Sequence, residues 1–192
     1  MGLAIGALAG VPLGVLIGAS ETAFRSVRLL IEFLRPIPPV ALIPLAVLLL
    51  GIDMATKVFL ISLSAFWPIL IQTIYGVQDV DPVARDCVRS FGLGRFARVR
   101  YLVIPSAAPY VMTGLRISAS IALIVCVATE LVIGAPGLGA SINAAQTSEA
   151  HSLEYAYIIA AGSLGWMLNS VFRRLERRTL YWHPSQRPVE GA

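Results

Sequence analysis

Charge is what this sequence has least of. Only 14% of its 192 residues are Asp, Glu, Lys or Arg, against about a quarter in an ordinary soluble domain, while 57% are hydrophobic and the mean hydropathy is +0.77. That scarcity excludes a soluble globular domain and places the chain in a bilayer. Cysteine and histidine are equally sparse, two of each. Cys87 falls in a polar loop and Cys126 deep in an apolar run, which argues against a disulfide between them; His151 and His183 are isolated, so no metal-ligand spacing is present. The formal charge of +4 comes from short basic clusters between apolar runs and not from a continuous basic face, which favours lipid headgroups over nucleic acid. No G-x-x-x-x-G-K-[ST] phosphate loop occurs, so the chain is not expected to hydrolyse ATP, and no nucleophile with a nearby base can be assembled for an intramembrane enzyme. No basic region precedes the apolar N-terminal stretch, which therefore reads as a span and not as a cleavable signal.

What is present is a set of long apolar runs: Met1 to Ser20, Ile37 to Gly51, Ala55 to Gly76, Ala107 to Gly134 and Tyr155 to Phe172. Each is long enough, or nearly so, for a hydrocarbon core that needs about 20 helical residues. The second is short and opens with Pro36, Pro38 and Pro39, with Pro44 inside, so its start is expected to be irregular backbone sheltered by protein or water. Thirteen of the fifteen basic residues fall in the connections after the first, third and fifth runs, Arg25, Arg28, Arg35 and Arg187 among them. By the positive-inside rule those connections are cytoplasmic, with Lys57 alone near the other side. Five spans then put Met1 outside, and the expectation is a further helix upstream or a displaced start.

The first run carries Gly2, Gly6, Gly10, Gly14 and Gly18, a glycine every fourth residue. At helical pitch they form one stripe that lets another helix approach closely. It has two readings: packing within one chain, or a subunit interface.

The stretch Arg85 to Pro105, RDCVRSFGLGRFARVRYLVIP, interrupts the apolar pattern with five arginines. Asp81-Pro82 predicts a helix start, and Gly92 a left-handed stop followed by a second short helix after Gly94. Val83, Cys87, Val88 and Phe91 share one side of that first helix, with Arg85 and Arg89 on another. Amphipathicity alone leaves two readings, a helix lying on anionic headgroups or a knob docking into a cytoplasmic protein.

The segment resembles the cytoplasmic coupling loop, or EAA loop, of binding-protein-dependent ABC transporter permeases. Asp86-Cys87-Val88 stand where that pattern has E-A-A, Gly92 matches its glycine, and Leu102-Val103-Ile104-Pro105 close it. Asp for Glu keeps the charge; Cys and Val for two alanines make the helix bulkier. FLRPIPPVALIPLAVLLLGID, PSAAPYVMTGLRIS and ATELVIGAPGLGASI are similar to the branch that handles sulfonates, taurine and nitrate. The resemblance implies an all-α, polytopic transmembrane bundle of the type I importer permease, or MetI-like, fold. It implies one permease domain over 1–192, with a coupling loop at 81–105 and a cytoplasmic tail at 173–192. It also implies one more span, the first.

The partners so implied are a second permease subunit forming a homodimer, two cytoplasmic ABC ATPases that carry ATP and magnesium, an extracytoplasmic solute-binding protein, and lipid of the bacterial cytoplasmic membrane. No cofactor is implied on this chain. Coupling falls to Arg85, Asp86, Cys87, Val88, Arg89, Phe91, Gly92, Ile104 and Pro105. Translocation or gating falls to Arg35, Pro36, Pro39, Arg116, Glu130, Gly137 and Gly139. Arg35 beside the proline backbone reads as a topology charge or as an attractor of anions. Arg116 and Glu130 lie 14 residues apart on one run, about 21 Å along a helix, so they do not pair within it. Arg116 reads as a snorkelling or anchoring charge or as a substrate contact, and Glu130 as a structural or gating acid supporting the loop after it or as a substrate contact. That loop, GAPGLG, reads as a flexible closure of the outer mouth or as an ordinary turn. A secondary transporter or channel would instead call for paired intramembrane charges or an inverted repeat, and the sequence makes neither evident.

Overall fold

The computed structural model describes residues 1–181; His183 and Arg187 lie outside them. Every regular element among the described residues is helical. The centre is α4, Met54–Gln78, flanked by α1, Gly2–Gly18, and α7, Ile104–Ile133. Around these three pack α3, Ile43–Leu50, against α4, and α8, Leu138–Thr147, with α9, His151–Thr179, against α7. The element α2, Glu21–Leu34, follows α1, and α5, Pro82–Ser90, with α6, Arg95–Arg98, lies between α4 and α7.

The glycine stripe meets α4 of the same chain. A Cβ on Gly14 would stand 2.6 Å from Thr73 Cβ, and one on Gly2 2.7 Å from Ile61 Cβ, so the two backbones approach as closely as the missing side chains permit. Of the two readings of the stripe, packing within the chain is the one found. Across α4, Gly76 and Gly114 bring α7 equally close, and Ser118 Oγ donates to the carbonyl of Ala65 at 2.7 Å. A buried cluster of Ile43, Ala46, Leu60 and Val125 joins α3, α4 and α7 at the end that holds Asp53. No residue of α2, α5 or α9 is buried, so their faces remain open to lipid or to other chains.

By length and hydropathy, α4 and the continuous stretch Phe96–Ile133 qualify on their own as membrane spans. A third candidate is the pair Glu21–Leu34 and Pro39–Leu50, which qualify only together and are bent by 76°. This revises the first connection: Arg25, Arg28 and Arg35 belong to a helix and its cap, not to a loop. The reason is local. Ser20 caps α2 by accepting from the Ala23 amide, and Glu21–Arg25 and Arg28–Glu32 pair one turn apart at 2.7 Å, so the charges support the helix. Pro36, Pro38 and Pro39 then end it, and Pro39–Leu42 forms a single 3-10 turn leading into α3.

Candidate functional site

Three groups of predicted residues occupy three places. At one end of α4 lies the segment between α4 and α7. Asp81 caps α5, its carboxylate accepting from the Val83 amide at 2.8 Å, with Pro82 in the first turn where no amide is needed. At the other end of α5 the Gly92 amide donates to the Arg89 carbonyl and the Leu93 amide to the Val88 carbonyl. Those two bonds form a Schellman stop, which requires the φ of +69° found at Gly92. The chain restarts as α6, widens to a π turn over Val99–Val103 and runs straight into α7, so Ile104 and Pro105 are the first turn of a long helix and not loop. The segment is thus a capped helix set on the end of a rigid one.

Its surface chemistry is divided. Val83 is 69% exposed and Phe91 83%, an apolar tip that nothing among the described residues covers, and Cys87 beside them is a free, exposed thiol. Asp86 is exposed and pairs with Arg89 at 3.4 Å, while Val88 is half-buried. Arg85, Arg89 and Arg98 line a cleft of about 640 Å³ against Val15, Phe24 and Val77, so these arginines face the body of the bundle and not only an outer rim.

At the opposite end of α4 is an arrangement the sequence reading missed. Lys57 and Glu130 are 6% and 7% exposed, and their side chains pair at 3.1 Å. Lys57 Nζ also donates to the Pro136 carbonyl at 2.7 Å, and the second carboxylate oxygen of Glu130 accepts from the Gly139 amide at 3.0 Å. Paired charges do therefore occur, contrary to the expectation from sequence. The stretch read as a loop from Gly134 to Gly139 is correspondingly not a loose flap: the connection ends at Gly137, the N-cap of α8, and Gly139 lies in the first turn of that helix. A Cβ on Gly137 would lie 2.1 Å from Glu130 Cδ, and one on Gly139 2.2 Å from the Val127 carbonyl, so the loop is seated directly on the acid. The available signal was parity: a single lysine and the only acid of the fourth run, both placed at the ends of their runs away from the Arg85 to Pro105 segment.

Between these ends, Arg116 pairs with Glu176 of α9 at 3.2 Å, tying α7 to α9 beside a groove of about 840 Å³ lined by Ile117, Ile124, Gly162, Gly165 and Trp166. Arg35 and Pro39 line a smaller cavity of about 280 Å³ with Trp67 and Gln72, and Pro36 stands at the bend beside it. The structure therefore does not gather the predicted translocation residues into one site. Glu130, Gly137 and Gly139 form one unit, Arg35 and Pro39 a second, and Arg116 stands apart with Glu176.

The family model for the binding-protein-dependent transport system inner membrane component matches residues 10–180. The taurine transport system permease protein TauC of Escherichia coli K12 is 33% identical over 92% of this chain and 64% of its own length. The nitrate import permease protein NrtB of Leptolyngbya laminosa is 32% identical over 89% of this chain and 61% of its own. The chain thus spans a little under two thirds of each of these two relatives. Among solved structures, a chain of the MetNI methionine ABC transporter in an inward-facing conformation superimposes with a TM-score of 0.76, covering 92% of this chain and 88% of that one at 18% identity.

Proposed function

The chain belongs to the binding-protein-dependent transport system inner membrane components, with the MetI-like all-helical fold, and from that premise we propose that it is the membrane subunit of an ATP-driven importer for a small anion of the sulfonate or nitrate class. The relatives named for taurine and nitrate support the substrate class. Its partners in this reading are a second, identical permease subunit, two cytoplasmic ATPases holding ATP and magnesium, and an external solute-binding protein. The C-terminal end of α9, with Arg173, Arg174, Arg177 and Arg178, faces the cytoplasm.

The observation that carries the proposal is the exposed tip of α5 mounted on α7. An apolar patch of Val83 and Phe91 beside arginines suits a groove in a soluble partner. A displacement of that patch reaches α7 through the turn at Gly92 to Gly94, beyond which α6, the π turn and α7 are continuous from Phe96 to Ile133. Closure of the ATPases on ATP would then rock α7, and with it the helices packed on α4, between inward-open and outward-open arrangements. The Lys57–Glu130 pair is the one feature that favours a secondary transporter, since such proteins use intramembrane charges. Here both charges are already committed to the loop, through the Pro136 carbonyl and the Gly139 amide, which supports a structural part.

The test is purification from membranes in mild detergent together with the cognate ATPase. The wild-type chain is expected to retain the ATPase stoichiometrically, and Gly92→Val to insert normally but lose it, because valine is disfavoured at that left-handed φ. Solute uptake by the purified chain with no ATPase bound would contradict the proposal.

A further inference from the structure

We infer that the cavity at the bend between α2 and α3 is a transit site for the anionic group of the solute, with the Arg35 guanidinium as its charge and the Trp67 indole N–H and Gln72 amide as neutral donors. The inference rests on the import reading above and deepens it by naming residues and chemistry.

Position comes first. The cavity is lined by Ser64, Trp67 and Gln72 from the middle of α4 and by Ile117 and Ile121 from the middle of α7, the two helices that qualify as spans. Arg35 therefore borders the middle of both helices, and on its other side Ile74 and Tyr75 of α4. It caps α2 at the break of the one bent span, where proline leaves the backbone irregular. Irregular backbone at membrane depth persists where it lines a water-filled or protein-lined cavity, and ionisable side chains there mark solute paths.

Charge comes second. The other cations around this part of the bundle have acids of their own: Arg25 with Glu21, Arg28 with Glu32 and Arg116 with Glu176. Glu32, one turn before Arg35 on α2, is thereby committed elsewhere. Among the described residues Arg35 has no side-chain hydrogen bond or ion pair, and neither Trp67 nor Gln72 has a side-chain hydrogen bond. Among the described residues no acid lines the cavity, and the Ser64 hydroxyl donates to the Leu60 carbonyl at 2.5 Å, so each free polar side chain offers at least one N–H donor, with the Gln72 carbonyl oxygen the one acceptor among them. One fixed cation, two neutral donors and aliphatic walls of Ile71, Ile117 and Ile121 suit an oxyanion with a small apolar or neutral remainder. A guanidinium presents paired N–H groups to two oxygens of a sulfonate or nitrate, and a single charge holds such a solute without trapping it.

The same donors would also suit a lipid phosphate, and the experiment separates the two. The complete transporter, permease with ATPase and binding protein, is reconstituted in liposomes and supplied with isotopically labelled taurine and nitrate. Uptake of neither probe by the wild type would sink the import reading for these anions, and the transit site with it. Once wild-type uptake is established, Arg35→Gln is expected to lower it about 10- to 100-fold, the range for losing a hydrogen bond from a charged group, with partial recovery in Arg35→Lys. Gln72→Leu and Trp67→Phe each lower uptake about 2- to 10-fold, with the ATPase recovered in wild-type amount on purification. Wild-type uptake by Arg35→Gln overturns the inference and leaves the import reading standing. So does loss of uptake together with loss of the bound ATPase, which marks a structural break. Normal uptake with less anionic phospholipid retained by purified Arg35→Gln overturns it too, assigning the cation to a headgroup.

Discussion

The two ends of α4 hold the chain's charge in opposite ways. At the Lys57 end, one lysine and one acid are buried together and spend their remaining hydrogen-bonding capacity on a glycine loop fitted against them. At the Gln78 end, arginines flank a helix whose apolar tip is open to solvent; the bonds of that segment are caps and turns within itself, and beside it the Tyr110 hydroxyl of α7 donates to Asp79 at the end of α4. A buried pair of charges loses hydration that only close partners restore, so such a cluster has one arrangement and resists change. An exposed, well-capped helix is complete alone and leaves its apolar surface for another molecule. The difference assigns immobility to one end and reception to the other, with α4 and α7 as the rigid link.

The comparison is broken most forcefully at the buried pair. Lys57→Met strands the Glu130 carboxylate, and Glu130→Gln strands the ammonium; each is expected to destabilise the chain by about 3–5 kcal/mol, read as a loss of melting temperature in detergent. The double change Lys57→Met with Glu130→Leu should recover part of that loss. If each single change costs less than about 1 kcal/mol, the Lys57 end is not a lock. Next in size is crowding at the glycines. Gly139→Ala or Gly14→Val pushes a side chain into Val127 or Thr73, expected to cost about 1–3 kcal/mol in the same assay. The Gln78 end should respond differently. Asp81→Ala removes the α5 cap, worth about 1 kcal/mol, and should weaken ATPase recovery more than it lowers the melting temperature. Smallest of all, Arg25→Gln breaks a wholly exposed pair and should shift stability by less than about 0.5 kcal/mol.

What the sequence made legible follows the range of the forces involved. The α5 boundaries at Asp81 and Gly92 depend on residues within one turn of each other, and the expected start and stop are the ones found. The apolar runs behind α4 and α7 depend on composition over a window, and these too were readable. The Lys57–Glu130 contact joins residues 73 apart, and nothing local records it. The same holds for the partner of the glycine stripe, where the sequence shows that a close approach is possible but not which helix makes it. Arg35 was misleading for a different reason. Counting basic residues by connection placed it in a loop, whereas the structure makes it the C-cap of α2, a helix whose neighbouring charges pair with one another along its length. The stretch from Gly134 to Gly139 reads as flexible from its glycines, yet at Gly137 and Gly139 the Glu130 side chain and the Val127 carbonyl leave no room for a side chain, and Gly134 supplies the left-handed φ of +67° that ends α7.

The central claim, that the tip of α5 is where a soluble motor takes hold, can be tested on the protein's own thiol. Cys87 is exposed on α5, whereas Cys126 is half-buried in α7 and serves as the internal reference. In membranes carrying the permease alone, a maleimide should label Cys87 quickly; with the ATPase bound, labelling of Cys87 should fall by about tenfold or more, as expected for a site inside an interface, while Cys126 is unchanged. Undiminished labelling of Cys87 in a complex that demonstrably retains its ATPase would contradict the account.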